Sequence, residues 1–148
     1  MKYGVSLLIY ADFILALYFA LSLLRKDKWK YTENRMFTVF CISSAIWSLG
    51  FFGVFIQTDP NKAYIWRAIG MIGTFSYLIS AQALICHLCN MPKRFSYITQ
   101  SFSSLGIILY FFVIQKDEVT YELTKYGMSY SFNPGFWNNA YTLYSIIT

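Results

Sequence analysis

Apolar residues run along this chain in long, almost unbroken blocks. Five can be read: 4–24, 36–56, 63–88, 95–114 and 135–148. The first four contain 21, 21, 26 and 20 residues. A bilayer core takes about 20 residues of helix, so each of the four predicts a complete crossing, the third with some tilt. The fifth block holds 14 residues, too few to cross. The pattern therefore predicts a piece of a longer protein, cut in its fifth helix.

Between the fourth and fifth blocks the period changes. Val119, Tyr121 and Leu123 alternate with Thr120, Glu122 and Thr124, and Met128, Tyr130 and Phe132 alternate with Ser129 and Ser131. Period two on both sides of Lys125-Tyr126-Gly127 predicts a β-hairpin within 115–134. Asn133-Pro134-Gly135 then ends it. The expected fold is an all-α transmembrane bundle of four complete spans plus a partial fifth, with a small extracellular hairpin before the fifth. Residues 1–148 are read as one membrane domain.

Composition strengthens the membrane reading: 57% of residues are hydrophobic, 21% aromatic and 13% charged. Soluble domains carry about 25% charged residues, and a chain this small cannot hide so many apolar side chains. The first block is not a cleavable leader. Its apolar core is too long, and its basic cluster, Arg25, Lys26, Lys28 and Lys30, follows the core instead of preceding it.

Charge sets the orientation. The segments 25–35 and 89–94 fall on one side and hold seven bases against two acids; the other side has four of each. The whole formal net charge of +5 therefore lies on one face, which the positive-inside rule makes cytoplasmic. The N-terminus of this multi-pass chain is then outside. Trp29 falls near the inner boundary, Trp66 and Trp137 near the outer one, and Trp47 within a span. The basic residues sit in short loops between spans, so nucleic acid is not an expected partner.

Small residues predict helix contacts. Cys41, Ser44, Ala45 and Ser48 share one helical face, as do Gly73, Ser76, Ser80 and Ala83. Both read as packing seams, with a ligand groove as the alternative. Asp12 and Arg67 lie inside spans, where ionisable side chains are functional candidates. Either they pair, or Arg67 snorkels to the headgroups while Asp12 is protonated or wetted. Gln82 and Gln100 lie at matching depths and are placed to bond across helices.

Much chemistry is absent from the pattern. Cys86-His87-Leu88-Cys89 has the look of a metal motif, but zinc wants about four ligands and the chain has a single histidine and no second cysteine pair. Cys86 and Cys89 read as packing residues, and no disulfide framework is expected. No HExxH, GxSxG or glycine-rich phosphate loop occurs. No catalytic residue, metal or cofactor is expected. The aromatic face of the hairpin is the best-placed surface for an extracellular ligand.

Several stretches resemble the N-terminal seven-helix sensor region of bacterial histidine kinases, which is also joined to diguanylate cyclases. They are Ala45-Ile46-Trp47-Ser48-Leu49-Gly50-Phe51, Trp66-Arg67-Ala68-Ile69-Gly70-Met71-Ile72-Gly73, the basic turn Met91-Pro92-Lys93-Arg94, and the hairpin leading to Pro134-Gly135-Phe136-Trp137. The resemblance covers roughly residues 34–148. It implies seven helices, an outside N-terminus and a cytoplasmic effector module after the last helix. The expected role is a non-catalytic input domain for signal transduction, with the bilayer, the effector, a small ligand of unknown identity and a second copy as partners. Candidate binding residues are Asp12, Trp47, Arg67, Tyr121, Tyr130 and Trp137. The alternative is part of a transporter or channel, with Asp12 and Arg67 lining a substrate path.

Overall fold

The computed structural model describes residues 4–115, 119–124, 127–133 and 135–147. The elements are α1 (Gly4–Leu23), α2 (Lys26–Trp29), α3 (Thr32–Ile56), α4 (Pro60–Leu88), α5 (Lys93–Gln115), β1 (Val119–Thr124), β2 (Gly127–Phe132) and α6 (Phe136–Ile147). The protein is mostly helical, with one small two-stranded antiparallel sheet.

Among the described residues, three helices, α1, α3 and α4, are long and apolar enough to cross a membrane. The sequence predicted four complete spans. The 23-residue α5 has the length of a crossing, but it opens on Lys93-Arg94 and carries Ser96, Thr99, Gln100, Ser101, Ser103 and Ser104 in its first half. The residues that follow, 105–114, are apolar. The 12-residue α6 reaches about 18 Å, well short of a bilayer core of about 30 Å.

Helix ends follow local chemistry. Pro60 occupies the first turn of α4, where its missing N–H costs nothing. Asp59 caps that turn, accepting a hydrogen bond from the Asn61 backbone N–H at 3.0 Å. At the other end Asn90 takes a left-handed φ of 51°. The Met91 N–H returns to the Cys86 carbonyl at 2.9 Å and the Asn90 N–H to that of His87 at 3.1 Å. This pair of bonds is a Schellman motif, and Pro92 prevents the helix from resuming.

The bundle is organised around α3, which packs on α1 and, more extensively, on α4. The α3–α4 seam is built on glycine. A side chain at Gly50 would run into the backbone N and Cα of Gly70; one at Gly73 would run into the backbone of Trp47, and one at Gly53 into the Trp66 ring. Each step of three residues up α3 meets a step of three or four down α4, so antiparallel helices touch backbone to backbone. Of the small residues predicted to form seams, Gly73 lies here, and Cys41, Ala45, Ser48 and Ser80 are also buried. Against α3, α1 buries small groups only, Ser6, Ala16 and Ala20, while its leucines stay exposed. Exposed leucines on a helix this apolar are what a lipid surface accommodates.

The predicted hairpin forms, with Tyr121 opposite Tyr130, Leu123 opposite Met128 and Thr120 opposite Ser131. On the polar face the Thr120 and Ser131 hydroxyls lie 2.7 Å apart. Met128, 1% exposed, packs with Val54 and Ala63 across the turn that joins α3 to α4. The predicted turn residues Lys125 and Tyr126 lie outside the described residues, as do Pro134 and Thr148.

Candidate functional site

Two groups of polar residues are buried among the helices, and the predicted site residues divide between them. The first lies under the hairpin. Arg67, one turn into the apolar part of α4, is 2% exposed. Its guanidinium stands 3.3 Å from the centroid of the Tyr130 ring in β2 and 5.6 Å from that of Tyr110 in α5. A cation over an aromatic face is attracted by the ring quadrupole, most strongly where water is excluded. Tyr110 in turn meets Phe75 of α4 at 6.1 Å and Tyr141 of α6 at 5.7 Å. One side chain of α4 is thus roofed by a strand and walled by α5.

Tyr121 completes this group. Its ring packs with Trp66 against the Val54, Ala63 and Met128 cluster. Burial pushes its phenol up to about 12, against the opposing pull of the Arg67 charge. The phenol therefore stays neutral under ordinary conditions.

The second group lies between α1, α3 and α4. Asp12 of α1 accepts a hydrogen bond from the Ser48 hydroxyl of α3. Asp12, Ala16 and Ala20 recur every four residues, so the face that buries the alanines also aims the carboxylate at α3. Beside it is a cavity of about 320 Å³ lined by Asp12, Ser44, Trp47, Thr74, Tyr77 and Leu78.

Asp12 and Arg67, for which pairing was one of two readings of the sequence, take different partners. The reason is depth. Asp12 shares its cavity with α4 residues seven to eleven positions beyond Arg67, an offset of at least about 10 Å at 1.5 Å per residue. Nor does Arg67 snorkel to a headgroup, because the hairpin closes over it. The structure thus brings together Arg67, Tyr121 and Tyr130 on one side, and Asp12 with Trp47 on the other. The side chain of Trp137 lies outside the described residues.

Other predicted contacts resolve differently. Gln82 does bond across to α5, but its amide oxygen accepts from Ser103 at 2.8 Å. Gln100 instead donates to Ser96 of its own helix at 2.7 Å. In the Cys86–Cys89 stretch, Cys86 is buried and Cys89 exposed, both as free thiols. His87 meets Glu33 of α3 at 3.1 Å. Among the described residues no cluster of three or more metal-ligating side chains exists.

Sequence reasoning passed over Tyr110 and Ser48 as functional partners. A signal existed for Tyr110: it lies about as far from the outer end of its predicted span as Arg67 does from its own. For Ser48 the signal was masked, because a serine among Cys41, Ser44 and Ala45 reads as a small packing residue. No protein-family model, curated protein or solved structure matches the chain.

Proposed function

We propose that the chain is the membrane-embedded input domain of a bacterial signalling receptor, passing an external or intramembrane signal to a cytoplasmic histidine kinase or diguanylate cyclase module. The observation that carries this reading is Arg67 under Tyr130. It ties the hairpin, outside the helical blocks, directly to the glycine seam that sets how α3 lies on α4. In this reading α5 is the fourth crossing and α6 begins a fifth. The basic segments around α2 and Pro92 face the cytoplasm, with the N-terminus and the hairpin outside. The architecture agrees in one respect: the hairpin sits with the α3–α4 turn, while the Glu33–His87 contact marks the opposite end of the same helices.

A signal acts here by favouring one packing of α3 on α4 over another. Only a difference in affinity for the two packings can move that equilibrium. The hairpin docks through few large side chains, Tyr130 on Arg67 and Met128 and Tyr121 on the α3–α4 turn, and its displacement removes the roof from a buried charge.

The test uses the product of the complete gene in membrane vesicles, assayed for ATP-dependent autophosphorylation and for cyclic dinucleotide synthesis. Tyr130→Ala is expected to change the basal output at unchanged membrane abundance. Absence of both activities from the complete protein overturns the proposal. A transporter or channel is the second reading, favoured by the cavity beside Asp12; solute uptake that depends on Asp12, with neither signalling activity present, would establish it.

A further inference from the structure

We infer that the cavity between α1, α3 and α4 is a binding site for an organic ammonium ion carrying an apolar group, with Asp12 as counter-ion and the Trp47 and Tyr77 rings as walls.

Charge balance is the first argument. An acid within a membrane span must be neutralised by a proton or a cation. Among the described residues the sole ion pair within 4.0 Å is Glu33–His87, at the far end of α3, and the cavity lining includes no base. Ser48 engages one carboxylate oxygen with a neutral hydroxyl, which orients the group without cancelling its charge.

Wall chemistry is the second argument. Aromatic faces beside a carboxylate recognise substituted ammonium ions through the ring quadrupole, without needing an N–H donor. Other rings hold both walls in place: Trp47 meets Phe51 at 5.6 Å, and Tyr77 meets Phe40 at 4.7 Å. Leu78 supplies an apolar surface for the substituent. The Thr74 hydroxyl donates to the Gly70 carbonyl at 3.0 Å, so its oxygen remains an acceptor. A bare metal ion is a poor match, since the lining offers it one carboxylate and otherwise only the neutral hydroxyls of Ser44, Thr74 and Tyr77. The volume of about 320 Å³ falls at the small end of the range for ligand pockets.

This inference deepens the receptor reading by naming a ligand class, yet binding and output are separable. The probe is benzyltrimethylammonium, compared with neopentylbenzene, its uncharged carbon isostere. Binding is read by calorimetry and tryptophan fluorescence on the protein in lipid nanodiscs. The cation is expected to bind at least about tenfold more tightly than the isostere, the size of a desolvated cation–π contact. Asp12→Asn keeps an oxygen for Ser48, so the helices stay packed, and is expected to lose that preference. Asp12→Glu is expected to restore part of it, Trp47→Leu to weaken cation binding severalfold, and Glu33→Gln to change nothing. Equal affinity for cation and isostere, or full cation affinity in Asp12→Asn, overturns the inference. If Asp12→Asn does not fold, Trp47→Leu decides: unchanged cation affinity there overturns it equally. Binding by the complete receptor without a change in output would retain the site and refute the signalling role.

Discussion

Gly50→Ala is the sharpest test of the α3–α4 seam. The added methyl would stand 2.9 Å from the Trp66 carbonyl oxygen and closer still to the Gly70 N and Cα. Comfortable contacts begin near 3.5 Å, and none of these atoms can rotate away because all are helix backbone. The two helices must therefore part by roughly 1 Å, a gap that forfeits a quarter to a half of each facing contact. The loss extends along the seam from the Trp47–Gly73 approach to Gly53 against Trp66. Overpacking costs about 1–3 kcal/mol, and with immovable partners the upper end applies. We expect about 3 kcal/mol of destabilisation, roughly a hundredfold in the folded-to-unfolded ratio. The assay is reversible unfolding in mixed micelles of increasing denaturing detergent, followed by helix circular dichroism. Two controls calibrate it. A methyl at Gly70 meets the movable Phe51 ring at 3.1 Å and should cost less than half as much. A methyl at Gly4 meets nothing within 4 Å and should be neutral. If Gly50→Ala unfolds at the same detergent fraction as Gly4→Ala, the backbone contact between α3 and α4 does not exist.

Three further outcomes are expected. Arg67→Met and Tyr130→Leu should couple by about 0.5–2 kcal/mol in a double-mutant cycle, read as hydrogen exchange in β1 and β2; additivity would disprove the cation–π contact. Ser48→Ala should cost about 0.6–1.7 kcal/mol, the range of hydrogen bonds between membrane helices, and nothing further once Asp12 is already Ala; an unchanged cost in that background would show that the Ser48–Asp12 bond is not what is lost. Because the folded phenol of Tyr121 titrates at about 12 and a free one near 10, its stabilising contribution is complete below about pH 10 and is lost as pH rises towards 12. The hairpin should therefore undock in that window, and Tyr121→Phe should move undocking to higher pH. Identical alkaline transitions in both proteins would show that Tyr121 is not buried.

Long-period and short-period signals carried different amounts of information in this chain. Helix existence was plain wherever an apolar block exceeded a bilayer's thickness. Helix ends were less so: α3 begins at Thr32, four residues before the apolar block, because Glu33 and Asn34 extend the helix without being apolar. The hairpin was legible because polar and apolar residues alternate on both strands, though its register, with Tyr121 opposite Tyr130, was not. Asp12 and Arg67 were visible as expensive charges, but their partners were not. Partner choice depends on the heights at which α1 and α4 each seat on α3, the latter set by glycine contacts at Gly50, Gly53 and Gly73, and one-dimensional spacing does not encode either. α5 was harder to read, because a serine-rich half precedes an apolar one.

The hairpin rests β1 on α4 and β2 chiefly on α3, with Tyr130 of β2 reaching over to Arg67 of α4, so it straddles one sliding joint. Helices that slip past each other find new seats about one turn apart, some 5.4 Å. Paired strands keep the same side chains facing inward only if they slip by two residues, about 6.8 Å. These are two rulers with different graduations, fastened together. A displacement that suits the helices leaves the strands out of register, and one that suits the strands leaves the helices between notches. Shear along the α3–α4 joint is therefore blocked while both strands are seated. It becomes available in whole-turn increments once either strand lifts.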